Sequence, residues 1–172
     1  MNEAPKPRLP LVSRLLPGFL AWLSIRAVHL AYLGDQDAEY RVASEAGFGP
    51  ALWGAELLFA FLGLGAAVGM WLRWRHTVPL ALTALAFYAS IAGFQLWQME
   101  LDPGLARRAY VASREARGLP VFEDQVDFMF SGPGRTMTWI VGATFSLAPL
   151  AVLLRRRADF EPLEADDSEA SS

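Results

Sequence analysis

The sequence contains no cysteine, a single lysine (Lys6) and two histidines. Without cysteine the chain cannot form disulfides, thiolate-bound metal sites or iron–sulfur clusters, and it has no cysteine nucleophile. Its net charge is -3 and its pI is about 5.4, so the basic surface typical of nucleic-acid-binding proteins is not expected. These properties exclude several classes of site and predict no nucleic-acid partner.

Sequence motifs of common soluble enzymes are also missing. The chain has no G-x-S-x-G, P-loop or H-E-x-x-H pattern, and its acidic residues do not have the spacing of a calcium-binding EF-hand loop. His29 lies within the first predicted span, whereas His76 falls in the loop between the second and third spans, far from His29. This placement argues against a haem held by two histidines in the membrane. The sequence therefore assigns no catalytic residue, no metal ligand and no cofactor, and a non-enzymatic protein is the favoured interpretation.

Charge is almost absent from four long apolar segments, residues 15–33, 51–72, 78–99 and 137–154, in which Arg26 and Glu56 are the only formally charged residues. A helix of about 20 apolar residues spans the hydrocarbon core of a bilayer, and each segment is close to this length. The first segment is also similar to a signal peptide, but Arg26 and His29 interrupt it. We therefore predict an all-α integral membrane protein in which four transmembrane helices form an antiparallel bundle over residues 15–154.

The remaining segments are predicted to lie outside the bilayer. Residues 1–14 form an N-terminal segment, residues 34–50 and 100–136 form the outer loops, and residues 155–172 are expected to be a disordered acidic tail. Within the third loop, Pro103 and Gly118 bracket a predicted short amphipathic helix over about 103–117. A short acidic helix over 35–46 is expected to face water.

Arginine placement predicts the orientation of the bundle. With four spans, both termini lie on one side of the membrane, and that side carries eight cationic residues: Lys6, Arg8, Arg14, Arg73, Arg75, Arg155, Arg156 and Arg157. The other side carries six: Arg41, Arg107, Arg108, Arg114, Arg117 and Arg135. Because cations close to the membrane favour the cytoplasmic side, we predict cytoplasmic termini in the plasma (inner) membrane of a bacterium.

The two charges within the spans are predicted to pair. At about 1.5 Å per helical residue, Arg26 and Glu56 both lie roughly 8–11 Å below the outer surface. A charge in hydrocarbon costs about 2.5 kcal/mol or more, so opposite charges at one depth favour each other as partners. We therefore predict an Arg26–Glu56 ion pair, with His29 one helical turn from Arg26 on the same face.

Further polar residues are predicted near the same level. Gln95 and Gln98 lie on the third span, and Thr138 lies at the start of the fourth. The favoured interpretation is a structural ion pair that fixes how the helices pack. The alternative is a ligand-binding polar cluster in the outer half of the bundle, formed by Arg26, His29, Glu56, Gln95, Gln98 and Thr138.

Small residues are concentrated towards the inner half. The second span carries Gly63, Gly65 and Gly69, of which Gly65 and Gly69 have GxxxG spacing. The third span carries Ala86, Ser90 and Gly93 at helical spacing. Such faces allow close helix packing, which we expect within one chain rather than between two. The oligomeric state stays open.

Three hypotheses for function follow. The first is a non-enzymatic accessory subunit, assembly factor or scaffold, with membrane lipids and another membrane protein as its expected partners. The second is binding or transport of a small amphiphile, such as a lipid or a quinone-like molecule, in an outer-leaflet polar cavity. The third is a membrane enzyme that acts on a lipid-linked substrate with Glu56 or His29 as general base.

Overall fold

The computed structural model describes residues 11–160. This part of the chain is helical without strands, and its α-helices are α1 (Leu11–Leu33), α2 (Ala38–Glu45), α3 (Gly49–Leu72), α4 (Thr77–Leu101), α5 (Pro103–Ala116), α6 (Glu123–Phe130) and α7 (Gly132–Arg156). Short 3₁₀ turns cover Gly34–Gln36 and Arg157–Phe160. The predicted N-terminal residues 1–10 and most of the predicted acidic tail, residues 161–172, lie outside the described residues.

Four helices, α1, α3, α4 and α7, are long and apolar enough to cross a membrane. They correspond to the four predicted spans, and the all-α membrane bundle is confirmed. Each helix is somewhat longer than its predicted span because helix continues beyond the apolar segment into polar ends, as at Arg155 and Arg156. The predicted third-loop helix is α5, which ends just before Gly118, where a positive φ of 67° stops the helix.

The bundle is closed on three sides and loose on the fourth. α1 packs closely along α3, α3 along α4 and α4 along α7, whereas α7 contacts α1 much less. The shared core includes Leu20, Phe59 and Leu85, all fully buried. The loose α1–α7 side leaves space between these two helices.

Glycine allows a close contact between α1 and α3, at Gly63 rather than at the GxxxG pair. A Cβ at Gly63 of α3 would overlap the Oγ of Ser24 on α1, so this glycine sets the separation of the two helices. In the predicted GxxxG motif, Gly65 has only the Leu80 side chain of α4 at ordinary contact distance, 3.7 Å. A Cβ at Gly69, by contrast, would lie 2.7 Å from the Oγ1 of Thr77, so this glycine does allow close packing at the start of α4. A Cβ at Gly93 would meet no atom within 4 Å, so the predicted small face of α4 makes no such contact there.

Helices α2, α5 and α6 cover one end of the bundle, and we call them the roof and this end the roof end. Asp37 caps α2 by accepting a 2.9 Å hydrogen bond from the backbone of Glu39. Arg107 of α5 forms 2.8 Å ion pairs with both Glu123 and Asp127 of α6. The expectation that the acidic helix faces water is wrong for one side of α2, which buries Tyr40 and Val42 among others because it packs on α3 and α5.

The chain ends of the described part meet at the opposite end of the bundle. Ser13 donates a hydrogen bond to Asp159, and the Phe160 side chain is fully buried in the main core. The beginning of the predicted tail is therefore ordered in 3₁₀ conformation, because an aromatic ring is available to fill the core.

Candidate functional site

A cavity of about 820 Å³ lies at the roof end, between α1, α4 and α7 and beneath the roof. Its volume falls within the range of small-molecule sites. Its polar lining comprises Arg26, Glu39, Tyr88, Gln95, Gln98, Tyr110, Asp124, Gln125, Thr138 and Ser146. Its apolar lining includes Val42, Ala92, Leu96, Met99, Phe128, Met129, Phe130, Met137, Val141 and Phe145.

Arg26 lines this cavity instead of pairing with Glu56, and the predicted ion pair is not formed. The ion pairs among residues 11–160 are those of Arg107 and the pair Arg135–Glu100. The reason is the rotation of α1. Ser24 and Ala27 are buried, with Ser24 against Gly63 of α3, so Arg26 lies on the flank of the helix.

Glu56 is buried and has a different partner. Its Oε1 accepts a 3.2 Å hydrogen bond from Nε2 of Gln95 on α4. Gln95 itself lines the cavity, so Glu56 lies one hydrogen bond behind the cavity wall. The Gln95 amide therefore links the buried carboxyl to the cavity.

Gln98 and Thr138 lie in the cavity lining, as the polar-cluster alternative requires. Gln98 is 5% exposed, and its Nε2 has no hydrogen-bond partner within the described part of the chain. The Thr138 hydroxyl donates to the Gly134 carbonyl at 3.1 Å and keeps lone pairs free to accept. A buried amide N–H without a hydrogen-bond partner destabilises the folded protein, because it has lost its bond to water. A ligand oxygen that accepts from Gln98 would remove this desolvation penalty.

His29 is the sequence-predicted site residue that the structure places elsewhere. Its side chain is exposed and is not part of the cavity lining. One helical turn separates it from Arg26, but it faces outward from the bundle. Of the six predicted residues, the structure brings four to the cavity, with Glu56 directly behind them.

Glu39 of α2 is a site residue that the sequence analysis missed. Its Oε2 is buried without a hydrogen-bond partner among the described residues. Burial raises the pKa of Glu39 from 4.5 to about 7, with a further increase from Asp37, while Arg26 partly opposes the rise. The missed signal is the apolar face of α2, formed by Tyr40, Val42 and Ala43, which docks the helix on the bundle and carries Glu39 over the cavity.

The roof supplies further lining residues that sequence patterns did not place. Tyr110 of α5 packs edge-on against Phe130 of α6 at 5.9 Å between ring centroids, and the Arg114 guanidinium lies 5.8 Å from the same tyrosine ring. The Tyr110–Phe130 contact joins the two roof helices, whereas the Arg114 contact lies within α5 and covers the other side of the tyrosine ring. No spacing rule connects them to residues of α1 or α4, because the roof folds back across the bundle.

The lining combines a few polar groups with a predominantly apolar wall. Donors are present at Arg26 and Gln98, and an acceptor or donor is present at Glu39, depending on its protonation. Opposite charges in one cavity disfavour a strongly charged ligand of either sign, whereas apolar walls favour a molecule with an apolar body. Among residues 11–160, no group of three or more His, Asp or Glu side chains is positioned to hold a metal ion.

No protein-family model, curated protein or solved structure matches the chain. The geometry of the cavity is therefore the basis for any functional assignment.

Proposed function

We propose that this protein binds a small amphiphile, a lipid or a quinone-like molecule, in the cavity at the roof end of its bundle. The observation that supports this function is the cavity itself, which combines apolar walls with the hydrogen-bonding groups of Arg26, Glu39 and Gln98. A polar head would bind these groups, while the apolar part of the molecule would contact the walls. In this respect the structure favours the amphiphile hypothesis over the accessory-subunit hypothesis that the sequence alone favoured.

The unpartnered polar atoms support a head that accepts hydrogen bonds. Nε2 of Gln98 is a buried donor without a partner among the described residues, and Arg26 supplies a guanidinium at the same level. Carbonyl or hydroxyl oxygens of a bound head would satisfy both groups. Glu39, whose pKa of about 7 lets it exist in both forms near neutral pH, would donate to or accept from the same head.

The location that we propose is the plasma (inner) membrane of a bacterium, with both termini in the cytoplasm. The exposed arginines at the end opposite the roof, Arg75, Arg155 and Arg156 among them, support this orientation through the positive-inside rule. The cavity would then lie in the outer half of the bilayer, beneath an extracytoplasmic roof.

Mass spectrometry of the full chain, purified from its own membranes in mild detergent, tests the proposal. We expect one amphiphile per chain in the wild type, and a reduction of about tenfold in Arg26→Gln and in Gln98→Leu, because each removes a hydrogen bond to the head. His29→Gln is the matched control, since His29 lies on α1 outside the cavity lining. Its amphiphile content should equal that of the wild type.

Equal amphiphile content in all four proteins would contradict the proposal. If such samples instead contained one membrane protein in stoichiometric amount, the accessory-subunit hypothesis would replace it. In that case the exposed Leu119 and Phe122, in the loop between α5 and α6, would be the expected contact surface.

A further inference from the structure

A second, smaller space of about 330 Å³ lies between α1 and α7, farther from the roof than the cavity. We call it the α1–α7 groove. Its walls are apolar, with Leu16 and Phe19 from α1 and Ala148 and Val152 from α7. Thr144 also contributes, but its hydroxyl donates to the Ile140 carbonyl at 2.7 Å, so it offers the groove no free donor.

The groove and the cavity meet at one side chain. Phe145 lines both spaces, and its ring stacks on Phe19 with 6.4 Å between centroids and 29° between planes. These two rings are therefore the boundary between the polar cavity and the apolar groove. α7 is the least buried of the four long helices and its contacts with α1 are sparse, so the seam is open to the bilayer.

The dimensions of the seam match one apolar chain. Residues 15 and 26 mark the ends of the path on α1, which at about 1.5 Å per residue are roughly 16 Å apart. This is about half of the 30 Å hydrocarbon core, the depth of one leaflet. A molecule whose head lies at Arg26 can thus extend a leaflet-length chain along the groove towards the opposite interface.

The depth of Arg26 limits the chemistry of the head. Moving a chain from lipid into the groove gains little from the hydrophobic effect, because lipid tails are as apolar as the groove walls. Close packing against the walls is therefore what holds the chain there. The head, by contrast, leaves the hydrated interface, and a fully charged head would lose its hydration at high cost. An uncharged head that accepts hydrogen bonds, such as a quinone ring, loses the least hydration free energy on entering the cavity.

We propose that the bound amphiphile has an uncharged hydrogen-bonding head and one apolar chain, and that the chain lies in the α1–α7 groove after passing the Phe19–Phe145 ring pair. This inference rests on the proposed function and adds the route of the chain and the class of the head. It also assigns the α1–α7 seam as the side from which the ligand enters from the bilayer.

Photolabelling of the full chain in lipid nanodiscs tests the route, with two quinone probes that carry a ten-carbon chain and differ in the position of a diazirine. The ring-labelled probe should modify the cavity segments around Arg26 and Gln98. The probe labelled at the chain end should modify the groove segments around Leu16 and Ala148. A different result would be that the ring probe labels the cavity while the chain-end probe labels all lipid-facing helices. That result would overturn the proposed chain route in the groove but keep the cavity as the site of the head. If the ring probe does not label the cavity, the proposed function itself fails for this head class.

Groove-filling variants provide an independent measurement. Ala148→Trp should weaken binding of decylubiquinone by at least about fivefold, while the affinity for the same ring with a single methyl in place of the chain changes less than twofold. Ala151→Trp is the matched control, because Ala151 is exposed on the same helix and lines neither space. Ala148→Leu serves if the tryptophan variant does not fold. If both ligands lost affinity equally, or if neither Ala148 variant lost affinity, the groove would not be the binding site of the chain.

Discussion

Gln95 of α4 and Glu56 of α3 are joined by a 3.2 Å hydrogen bond from the amide Nε2 to the carboxyl Oε1, at the depth where the cavity begins. The bond connects two spans and positions the Glu56 carboxyl, which is buried within α3. It also explains why Glu56 does not need Arg26 as a partner, which leaves the arginine side chain available to the cavity.

Loss of the Gln95 amide should destabilise the bundle. In Gln95→Leu the Glu56 carboxyl stays buried without its partner, and we expect the unfolding free energy to fall by roughly 1–2 kcal/mol. Ser90→Ala is the control, since Ser90 is exposed on the same helix and donates only to the Ala86 carbonyl. Thermal unfolding in detergent measures both variants, and an unchanged midpoint for Gln95→Leu would contradict the role of this bond.

Glu39 should make stability depend on pH. Its pKa is 4.5 in the unfolded chain and about 7 in the folded protein, so the folded state binds more protons between these values. The unfolding free energy therefore falls as pH rises from about 4.5 to 7, by roughly 3 kcal/mol, since each pKa unit corresponds to about 1.4 kcal/mol. Above pH 7 it stays at the lower value.

Comparison of Glu39→Gln with the wild type isolates this contribution, because other titrating groups are common to both proteins. The variant should be more stable than the wild type at pH 8 and should gain little at pH 4.5. Glu45→Gln, an exposed site on the same helix, should follow the wild-type profile. Parallel profiles for Glu39→Gln and the wild type would show that Glu39 ionises normally.

The Gly63–Ser24 contact should be intolerant of a methyl group. In Gly63→Ala the new Cβ overlaps the Oγ of Ser24, which is fully buried, and we expect a loss of about 1–3 kcal/mol. Adding Ser24→Ala to this variant removes that oxygen, and the double variant should regain part of the lost stability. Gly93→Ala, which places its methyl in open space, should be neutral or stabilising by up to about 1 kcal/mol. Equal effects at the two glycines would disprove the close contact.

Arg107 should hold α6 against α5. Its guanidinium bonds both Glu123 and Asp127, and these acidic neighbours raise the pKa of Arg107 above its ordinary value. In Arg107→Gln the amides of residues 123–130 should exchange hydrogen faster, as measured by mass spectrometry, because the helix loses its attachment. Arg108→Gln, an exposed neighbour, should leave the exchange unchanged. The same exchange pattern in both variants would mean that other contacts hold the roof.

The proposed orientation is testable with reporters. A fluorescent protein that folds only in the cytoplasm should be active when it is fused to the C terminus. Alkaline phosphatase, which is active only outside, should be active when it is inserted after Gly118 in the roof. The reverse pattern would place the cavity in the inner half of the membrane and overturn the proposed topology.

Local sequence features are sufficient to define the four spans and the helix of the third loop. Apolar segments of about 20 residues have only one stable form in a bilayer, and Pro103 and Gly118 mark helix ends through local backbone geometry. The sequence also places Arg26, Gln95, Gln98 and Thr138 at one level, because depth follows from the helical rise alone.

Packing between the helices fixes which of these residues face one another. Depth does not fix the rotation of a helix, and the Ser24–Gly63 contact turns α1 so that Arg26 faces the cavity while Gln95 bonds Glu56. The position of Glu39 depends on how the roof docks on the bundle, and the cavity and groove depend on the gap between α1 and α7. These are consequences of packing between segments distant in sequence, which local patterns do not encode.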